Sequence, residues 1–581
     1  MAPPFESLGA MLESRAREAR GTVRFLKGRP GDDEVVKVSE LAAQAGAIAG
    51  NLRALGLKAG DRMAMLLRSN LDFARLFLGA TAAGIVPVPL YPPASLDRID
   101  HYLGNLRGIL GTVQPAGLVV AREVRQILEL VQRDIPGKPV VLELEEALRA
   151  NGTSVVERVD GGDPAFIQCT SGSTTVPKAV VVTHRNLFAN LDALCHDAQD
   201  GEGDAMCMWV PMYHDMGLLG FLRPLIYDHS LILMEPQAFL RRPGRWLRAI
   251  SDHRATISGG PNFAFDLCVR KVSDEERAGL DLSSWRLAYN GAEPIRVEVM
   301  RRFLETYEPL GFQRPAMVPC YGMSESTLAA SAPRRGEAVL ERTFDRAALE
   351  QGTAKESAEG VTLVGVGRAL PGHDLKVIDP ETGEPRPEGE IGLVAVTGPS
   401  ISGGYLNRPD LTEKAFGPWV KGDDRRWIRT NDFGFFHRGE LFVVGRADDV
   451  LIVRGRKIAP TDVEAVVEAL PGVRKGCTAA VQLASAGEFA VVIETAGEPP
   501  PELATEIRAA VSKAFAASPA EVVFVPRGTI PKTSSGKICR AVIRRALADG
   551  TLVTRARPAW LQGAALKARI GLSWLRNRLP V

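Results

Sequence analysis

At 581 residues the chain is too long for a single hydrophobic core and is expected to form two or more domains. Its 45% hydrophobic and 24% charged content is ordinary for a soluble globular protein. Lys plus Arg number 71 against 69 Asp plus Glu, a net charge of +2, so nothing points to nucleic acid or another polyanion as a partner. Cys169, Cys195, Cys207, Cys268, Cys320, Cys477 and Cys539 are scattered with no C-x-x-C pair, which argues against a zinc site or a disulfide framework and for reduced thiols in the cytoplasm. The N-terminus lacks the apolar stretch of a signal peptide, and no apolar run is long enough to span a bilayer.

In chain order, residues 38–58 carry Leu41, Ala45, Ile48, Leu52 and Leu55 at helical spacing and end near Gly56, which predicts an amphipathic helix. Short apolar runs follow at Met63–Leu67, Val86–Leu90, Leu118–Val120 and Val140–Leu142, separated by helical patterns, as in an α/β protein with mostly parallel strands. From about Gly383 to Arg446 the chain turns to short strands rich in Gly and Pro, a small β-rich subdomain. Beyond Asp448 a compact α+β unit is predicted, with strands at Val450–Val453, Cys477–Val481 and Ala490–Glu494 and a helix near Glu502–Ala517. The segment Gly445-Arg446-Ala447-Asp448-Asp449 lies between these units and is the candidate hinge, centred on Asp448. Residues 555–581 form a basic tail containing Trp560 and Trp574.

The most informative segment is Cys169-Thr170-Ser171-Gly172-Ser173-Thr174-Thr175-Val176-Pro177-Lys178, set between the apolar strands Ala165-Phe166-Ile167 and Ala179–Val182. Small hydroxyl residues around a glycine can turn backbone N–H groups and hydroxyls toward phosphate oxygens. Lys178 can add a point charge to a leaving polyphosphate. Alone, such a tetrapeptide is more often a Ser/Thr-rich turn. Neither a Walker A loop nor G-x-G-x-x-G occurs. Further on come Tyr213-His214-Asp215-Met216-Gly217, Asn290-Gly291-Ala292-Glu293-Pro294, Tyr321-Gly322-Met323-Ser324-Glu325, Thr430-Asn431-Asp432, Arg454-Gly455-Arg456-Lys457-Ile458 and Pro531-Lys532-Thr533-Ser534-Ser535-Gly536-Lys537. Their types and order resemble the adenylate-forming superfamily of acyl-CoA synthetases, luciferases, peptide-synthetase adenylation domains and fatty acyl-AMP ligases, over nearly the whole chain.

The resemblance implies a large N-terminal adenylation domain, residues 1–446, built of two α/β subdomains and the β-rich one. A small mobile α+β domain, residues 447–581, would carry the catalytic lysine. It implies ATP and Mg²⁺ as cofactors and attack of a carboxylate on the α-phosphorus of ATP, with pyrophosphate leaving. Both reactants are anionic, so positioning and charge neutralisation should dominate. Thr170, Ser171, Gly172, Ser173, Thr174 and Lys178 would cradle phosphates, and Gly291, Ala292 and Glu293 would flank adenine. Tyr321, Gly322, Met323 and Ser324 would meet adenine and the α-phosphate, and Asp432 with Arg446 the ribose. Glu325 would hold Mg²⁺, which prefers one or two carboxylates plus phosphate oxygens. Lys537 would bridge carboxylate and α-phosphate, leaving Lys537, Glu325 and Thr170 as the catalytic set. His214, Asp215, Met216, Gly217, Asn262 and Phe263 would form the acyl pocket, although a lone histidine such as His214 is more often structural. Asn431 and Ala179 stand where the superfamily usually has glycine, and neither removes a charged or hydroxyl group.

Within the superfamily, His214–Leu218, Pro261–Cys268 and Gly291–Pro294 look most like fatty acyl-AMP ligases. Roughly forty residues separate Glu325 from Gly367, longer than connections usually run without a purpose. Within them residues 334–360 resemble the insertion that marks those ligases. That branch implies a fatty acid as substrate and, as acceptor, the phosphopantetheine of an acyl carrier protein or polyketide synthase in trans. The alternatives are an acyl-CoA synthetase, for which the insertion would be an ordinary surface helix-loop, and a non-catalytic nucleotide- or lipid-binding relative. The latter would be expected to lack Lys537 or Glu325, and both are present. The tail is expected to pack on the small domain rather than to dock on a membrane surface or an acidic carrier.

Overall fold

The computed structural model describes residues 5–27, 31–68, 70–93, 99–122, 125, 135–170, 178–201, 203–453, 456–485, 487–495, 497–532 and 537–552. Seven of the phosphate-loop residues, Ser171, Gly172, Ser173, Thr174, Thr175, Val176 and Pro177, together with Arg454, Gly455, Thr533, Ser534, Ser535, Gly536 and the basic tail 555–581, therefore lie outside the described residues.

The expected α/β architecture is present. Residues Val38–Ala54 form the first long amphipathic helix. Its apolar side, with Leu41, Ala45, Ile48 and Leu52, is buried in the main core. The apolar runs that follow become Arg62–Leu66, Val86–Leu90, Gly117–Val120 and Val140–Glu143, a four-stranded sheet in which every pairing is parallel. A second, seven-stranded sheet runs in the order Met317–Pro319, Leu287–Gly291, Ile257–Pro261, Ala205–Met208, Ser230–Met234, Thr22–Leu26, Glu34–Lys37. Only its last pairing is antiparallel. Parallel strands need a long crossover between them. Here helices such as Asp215–Tyr227, Gly244–Asp252 and Val297–Tyr307 supply it, and their buried faces explain why the strands read as unbroken apolar runs.

Beneath the second sheet lies an aromatic cluster. Trp246 packs edge-on against Trp285 with ring centroids 5.1 Å apart, and Phe265 packs edge-on against Phe303 at 5.0 Å. Trp209 stacks on Phe239 at 3.8 Å. Such pairs add to area burial, and they fix the floor from which the functional loops rise.

Past Gly372 the chain forms an antiparallel sheet of Asp374–Ile378, Gly392–Thr397, Phe416–Gly417, Trp427–His437 and Glu440–Arg446, matching the predicted change to a β-rich subdomain. Beyond Arg446 a separate apolar core gathers Leu451, Val463, Val467, Val491, Ile507 and Phe515. There the strands Thr478–Gln482, Phe489–Thr495 and Glu521–Pro526 make a three-stranded sheet flanked by the helices Pro460–Glu468, Leu503–Phe515 and Arg540–Ala548. All seven cysteines are free. No helix among the described residues is long and apolar enough to cross a membrane.

Candidate functional site

The predicted site residues gather because their segments leave the carboxyl ends of four neighbouring parallel strands. Tyr213–Gly217 follows Ala205–Met208, Asn262 and Phe263 follow Ile257–Pro261, Gly291–Glu293 ends Leu287–Gly291, and Tyr321–Glu325 follows Met317–Pro319. In an open parallel sheet that edge is where ligands bind. The phosphate loop itself closes a hairpin. Strand Pro164–Thr170 pairs antiparallel with Lys178–Thr183, and Thr170 stands opposite Lys178.

Two of the glycines are required by close packing. A Cβ on Gly291 would stand 2.7 Å from Cys320 Sγ, and one on Gly322 would collide with the carbonyl oxygen of Leu328. Ala292, between Gly291 and Glu293, holds a left-handed φ of 63°. A non-glycine residue in that region is strained, and such strain clusters at functional sites. Next to it Asn290 is fully buried, and both of its side-chain amide atoms lack a hydrogen-bond partner among the described residues; Nδ2 of the buried Asn262 lacks one as well. Unpaired buried amides are costly, so these are polar groups waiting for a partner.

The motifs are tied to one another through side chains. Ser324 Oγ donates to Asp215 Oδ2 at 2.6 Å, and His214 Nδ1 lies 2.7 Å from Asp215 Oδ1. The His214–Asp215 pair, assigned from sequence to the acyl pocket, thus directly contacts the Tyr321–Glu325 motif. Burial opposes the charge on Asp215, but the neighbouring His214 and the hydrogen bonds from His214, Ser324 and the Met216 N–H outweigh it. Its carboxyl is held well below the usual carboxylate range. Met216 and Gly217 open the helix that His214 caps. Tyr321 Oη donates to Asp432 Oδ2 at 2.7 Å. Asp432 stands opposite Arg446 in the β-rich sheet, with Arg446 Nε 3.9 Å from Asp432 Oδ1. Met323 caps the short 3-10 turn Ser324–Ser326 that presents Glu325. Phe263 donates its backbone N–H to Glu293 Oε1 at 2.6 Å and packs edge-on to Trp209.

Lys537 is exposed, and its charge is felt at two carboxylates of this site. Burial raises the Asp432 carboxyl, against Arg446, the Tyr321 hydrogen bond and Lys537. Burial likewise raises Glu293, against the Phe263 N–H, Lys537 and Arg296. Lys537 is thus near enough for its charge to act on both carboxylates. Ionic contacts accompany this arrangement. Arg296 Nη1 lies 3.3 Å from Glu468 Oε2, and Arg346 Nη1 lies 3.6 Å from Asp462 Oδ2. The Arg346 guanidinium also sits 4.8 Å above the Phe515 ring, and Arg456 Nη1 donates to Glu350 Oε2 at 3.2 Å. Arg346 and Glu350 belong to the segment 334–360. At the candidate hinge Asn431 Nδ2 donates to Asp448 Oδ2 at 2.6 Å, a bond that glycine at this position could not make.

One residue at the centre of the site has no counterpart among the sequence expectations. The Tyr405 hydroxyl donates to Glu325 Oε1 at 2.7 Å and accepts from Lys178 Nζ at 3.3 Å. Gly403-Gly404-Tyr405 was readable only as a turn followed by an aromatic.

A profile of the AMP-binding enzyme family matches residues 12–406. The chain is 34% identical to the medium-chain fatty acid–acyl-carrier-protein ligase JamA of Moorena producens, over 95% of this chain and 96% of that protein. It is 32% identical to the long-chain-fatty-acid–AMP ligase FadD26 of Mycobacterium bovis, over 94% and 98%. A solved structure from a study of fatty acyl-adenylate ligases of E. coli and L. pneumophila superposes with a TM-score of 0.87 at 33% identity, covering 94% of this chain and 98% of that one.

Proposed function

The chain belongs to the AMP-binding enzyme family, and on that premise we propose that it is a fatty acyl-AMP ligase that joins a fatty acid to ATP as acyl-AMP with release of pyrophosphate and then passes the acyl group to the phosphopantetheine of a carrier protein. The observation that carries this reading is that side-chain hydrogen bonds bring together residues from three sheets, Lys178 to Tyr405 and Tyr405 to Glu325, Ser324 to Asp215, and Tyr321 to Asp432, with the charge of Lys537 from the separately packed unit reaching Asp432.

The residues divide the work by chemistry. Asp432 accepts from ribose hydroxyls, and Tyr321, held by its bond to Asp432, presents its ring to adenine. Ser324, whose hydroxyl proton goes to Asp215, would turn that proton to the α-phosphate when the nucleotide binds. Thr170 and Lys178 flank the loop that cradles the polyphosphate. Lys537 bridges the fatty carboxylate and the α-phosphate while charge builds on the phosphorus. Among the described residues no group of three His, Cys, Asp or Glu side chains could hold a metal by itself. Glu325 offers one carboxylate, which suits Mg²⁺ arriving with the nucleotide, because that ion binds through one or two carboxylates plus substrate phosphates. Bound there, Mg²⁺ would neutralise phosphate charge. Glu325→Gln is accordingly expected to keep the fold and to lower pyrophosphate release about ten- to a hundredfold, with a higher Mg²⁺ requirement. Unchanged rates across a Mg²⁺ titration would remove Glu325 from the site.

The acceptor is a carrier protein, in trans, rather than CoA; a polyketide synthase is one such carrier. The ion pairs from Arg346 and Glu350 to Asp462 and Arg456 support this reading, because they hold residues 447–552 in the arrangement that brings the charge of Lys537 to Asp432 and Glu293. A bias of a few kcal/mol would empty a CoA-competent arrangement. Given ATP, Mg²⁺ and a fatty-acid panel, product mass spectrometry is expected to find acyl-AMP and acylated carrier but little acyl-CoA. Efficient acyl-CoA formation by the intact protein would favour the synthetase reading. A folded, adenylating protein lacking residues 334–360 that gains no CoA ligation would place acceptor choice elsewhere.

A further inference from the structure

We propose that Tyr405 is a positioning residue of the adenylating site: its hydroxyl aims the Glu325 carboxylate and parks the Lys178 ammonium, so that metal carboxylate and phosphate-loop lysine are set in one geometry before the nucleotide arrives. The inference rests on the reading that Glu325 serves the metal-bound nucleotide.

The backbone around Tyr405 links the two residues it touches. Ser402 donates its N–H to the Glu325 carbonyl at 2.9 Å. On the other side Gly403 N–H reaches the Val181 carbonyl at 3.2 Å, Val181 N–H the Gly404 carbonyl at 3.0 Å and Leu406 N–H the Ala179 carbonyl at 2.8 Å. Residues 403–406 thus run antiparallel along Lys178–Thr183, the strand that follows the phosphate loop, with Tyr405 bridged to Val180. The Tyr405 ring is 6% exposed and packs edge-on to Phe416 at 5.6 Å, so its direction is fixed. From this seat its hydroxyl makes both bonds, and Lys178 Nζ also lies 4.8 Å from the ring centroid.

A hydroxyl has one proton to give and lone pairs to receive, so it can serve a carboxylate and an ammonium together. A direct Lys178–Glu325 ion pair would cancel the charge that a hard cation needs. The neutral phenol instead occupies one Glu325 oxygen, leaves the carboxylate its full charge and leaves Oε2 for the metal. When phosphates arrive, Lys178 needs only to leave an oxygen acceptor and a ring face.

Tyr405→Phe keeps the ring and its packing and removes only the hydroxyl. Loss of one hydrogen bond to a carboxylate should raise the Mg²⁺ concentration for half-maximal pyrophosphate release about three- to tenfold. Acyl transfer from preformed acyl-AMP should stay at the wild-type rate. Tyr405→4-aminophenylalanine, which restores an N–H donor at the same place, should bring the Mg²⁺ dependence back toward wild type, and it keeps the test open if the Phe variant folds poorly. Because Tyr405 is argued to act through Glu325, the double variant Tyr405→Phe/Glu325→Gln should be no worse in Mg²⁺ dependence than Glu325→Gln alone. Additive losses in the double variant, or a Mg²⁺ curve for Tyr405→Phe that overlays wild type, would overturn the proposal. If Glu325→Gln shifts the curve and Tyr405→Phe does not, only the role of Tyr405 fails. If neither shifts it, the reading of Glu325 fails with it.

Discussion

Lys537→Ala should lower acyl-AMP formation by about 10²–10³-fold while leaving acyl transfer from supplied acyl-AMP within about threefold of wild type. The asymmetry follows from where the charge is needed. The charge of Lys537 opposes the burial that raises Asp432 and Glu293, and on the proposed reading it acts while the phosphorus is under attack. Once the adenylate exists, the acyl carbonyl reacts and the phosphorus does not, and a charge useful only to the first transition state contributes nothing to the second. Pyrophosphate release and carrier acylation, measured separately, decide the matter. Equal losses in both half-reactions would mean that Lys537 merely supports the small unit's packing.

The largest expected effect on stability lies away from the reacting atoms, at Arg223. This residue sits in the middle of the apolar helix Asp215–Tyr227, with its side chain 4% exposed beside an Asp200 that is 5% exposed. Arg223 Nε and Nη2 donate to the two Asp200 oxygens at 2.8 and 2.5 Å, and Nη1 donates to Tyr289 Oη at 3.2 Å. The network joins the helix that starts at Asp215 to the strand that ends at Gly291. Arg223→Met leaves Asp200 buried with Arg286, 3.5 Å away, as the remaining cation paired with it among the described residues. Breaking a buried pair by removing one partner costs about 3–5 kcal/mol, whereas replacing both with apolar residues is often close to neutral. Urea unfolding should therefore show a large loss for Arg223→Met and most of it regained in Arg223→Met/Asp200→Leu. A double variant as unstable as the single would show that the pair is not what binds helix to strand.

The contrast between what the sequence revealed and what it concealed follows from sequence separation. The strands at Val86–Leu90 and Gly117–Val120 and the helix from Val38 were legible because burial imposes a local period that few residues can mimic. The roles proposed for Glu325, Asp432 and Lys178 could be suggested from sequence because each stands in a short segment of definite composition. Tyr405 was not, since its partners lie 80 and 227 positions away and nothing beside it announces a carboxylate. Arg223 reads locally as a misfit in an apolar helix, and only its pairing with Asp200 explains it. Asp215 was grouped with the acyl pocket by its neighbours His214 and Met216, yet it also accepts a hydrogen bond from Ser324 of the Tyr321–Glu325 motif, a contact that sequence order does not show.

The contact between Asn431 and Asp448 also bears on how this protein can be recombined with its relatives. A graft junction between Arg446 and Ala447 falls at the start of a separately packed core and would look harmless from topology alone. It would nevertheless divide a bonded set: Asn431 reaches Asp448 through its side chain and accepts the Ala447 N–H on its carbonyl, while Arg540 from the far side donates to Asp449. A transplanted C-terminal piece brings its own Asp448 and Asp449 but meets whatever residue the recipient carries at 431. Chimeras that exchange residue 431 together with the piece keep the joint matched, and those that do not test two unmatched halves of one bonded joint.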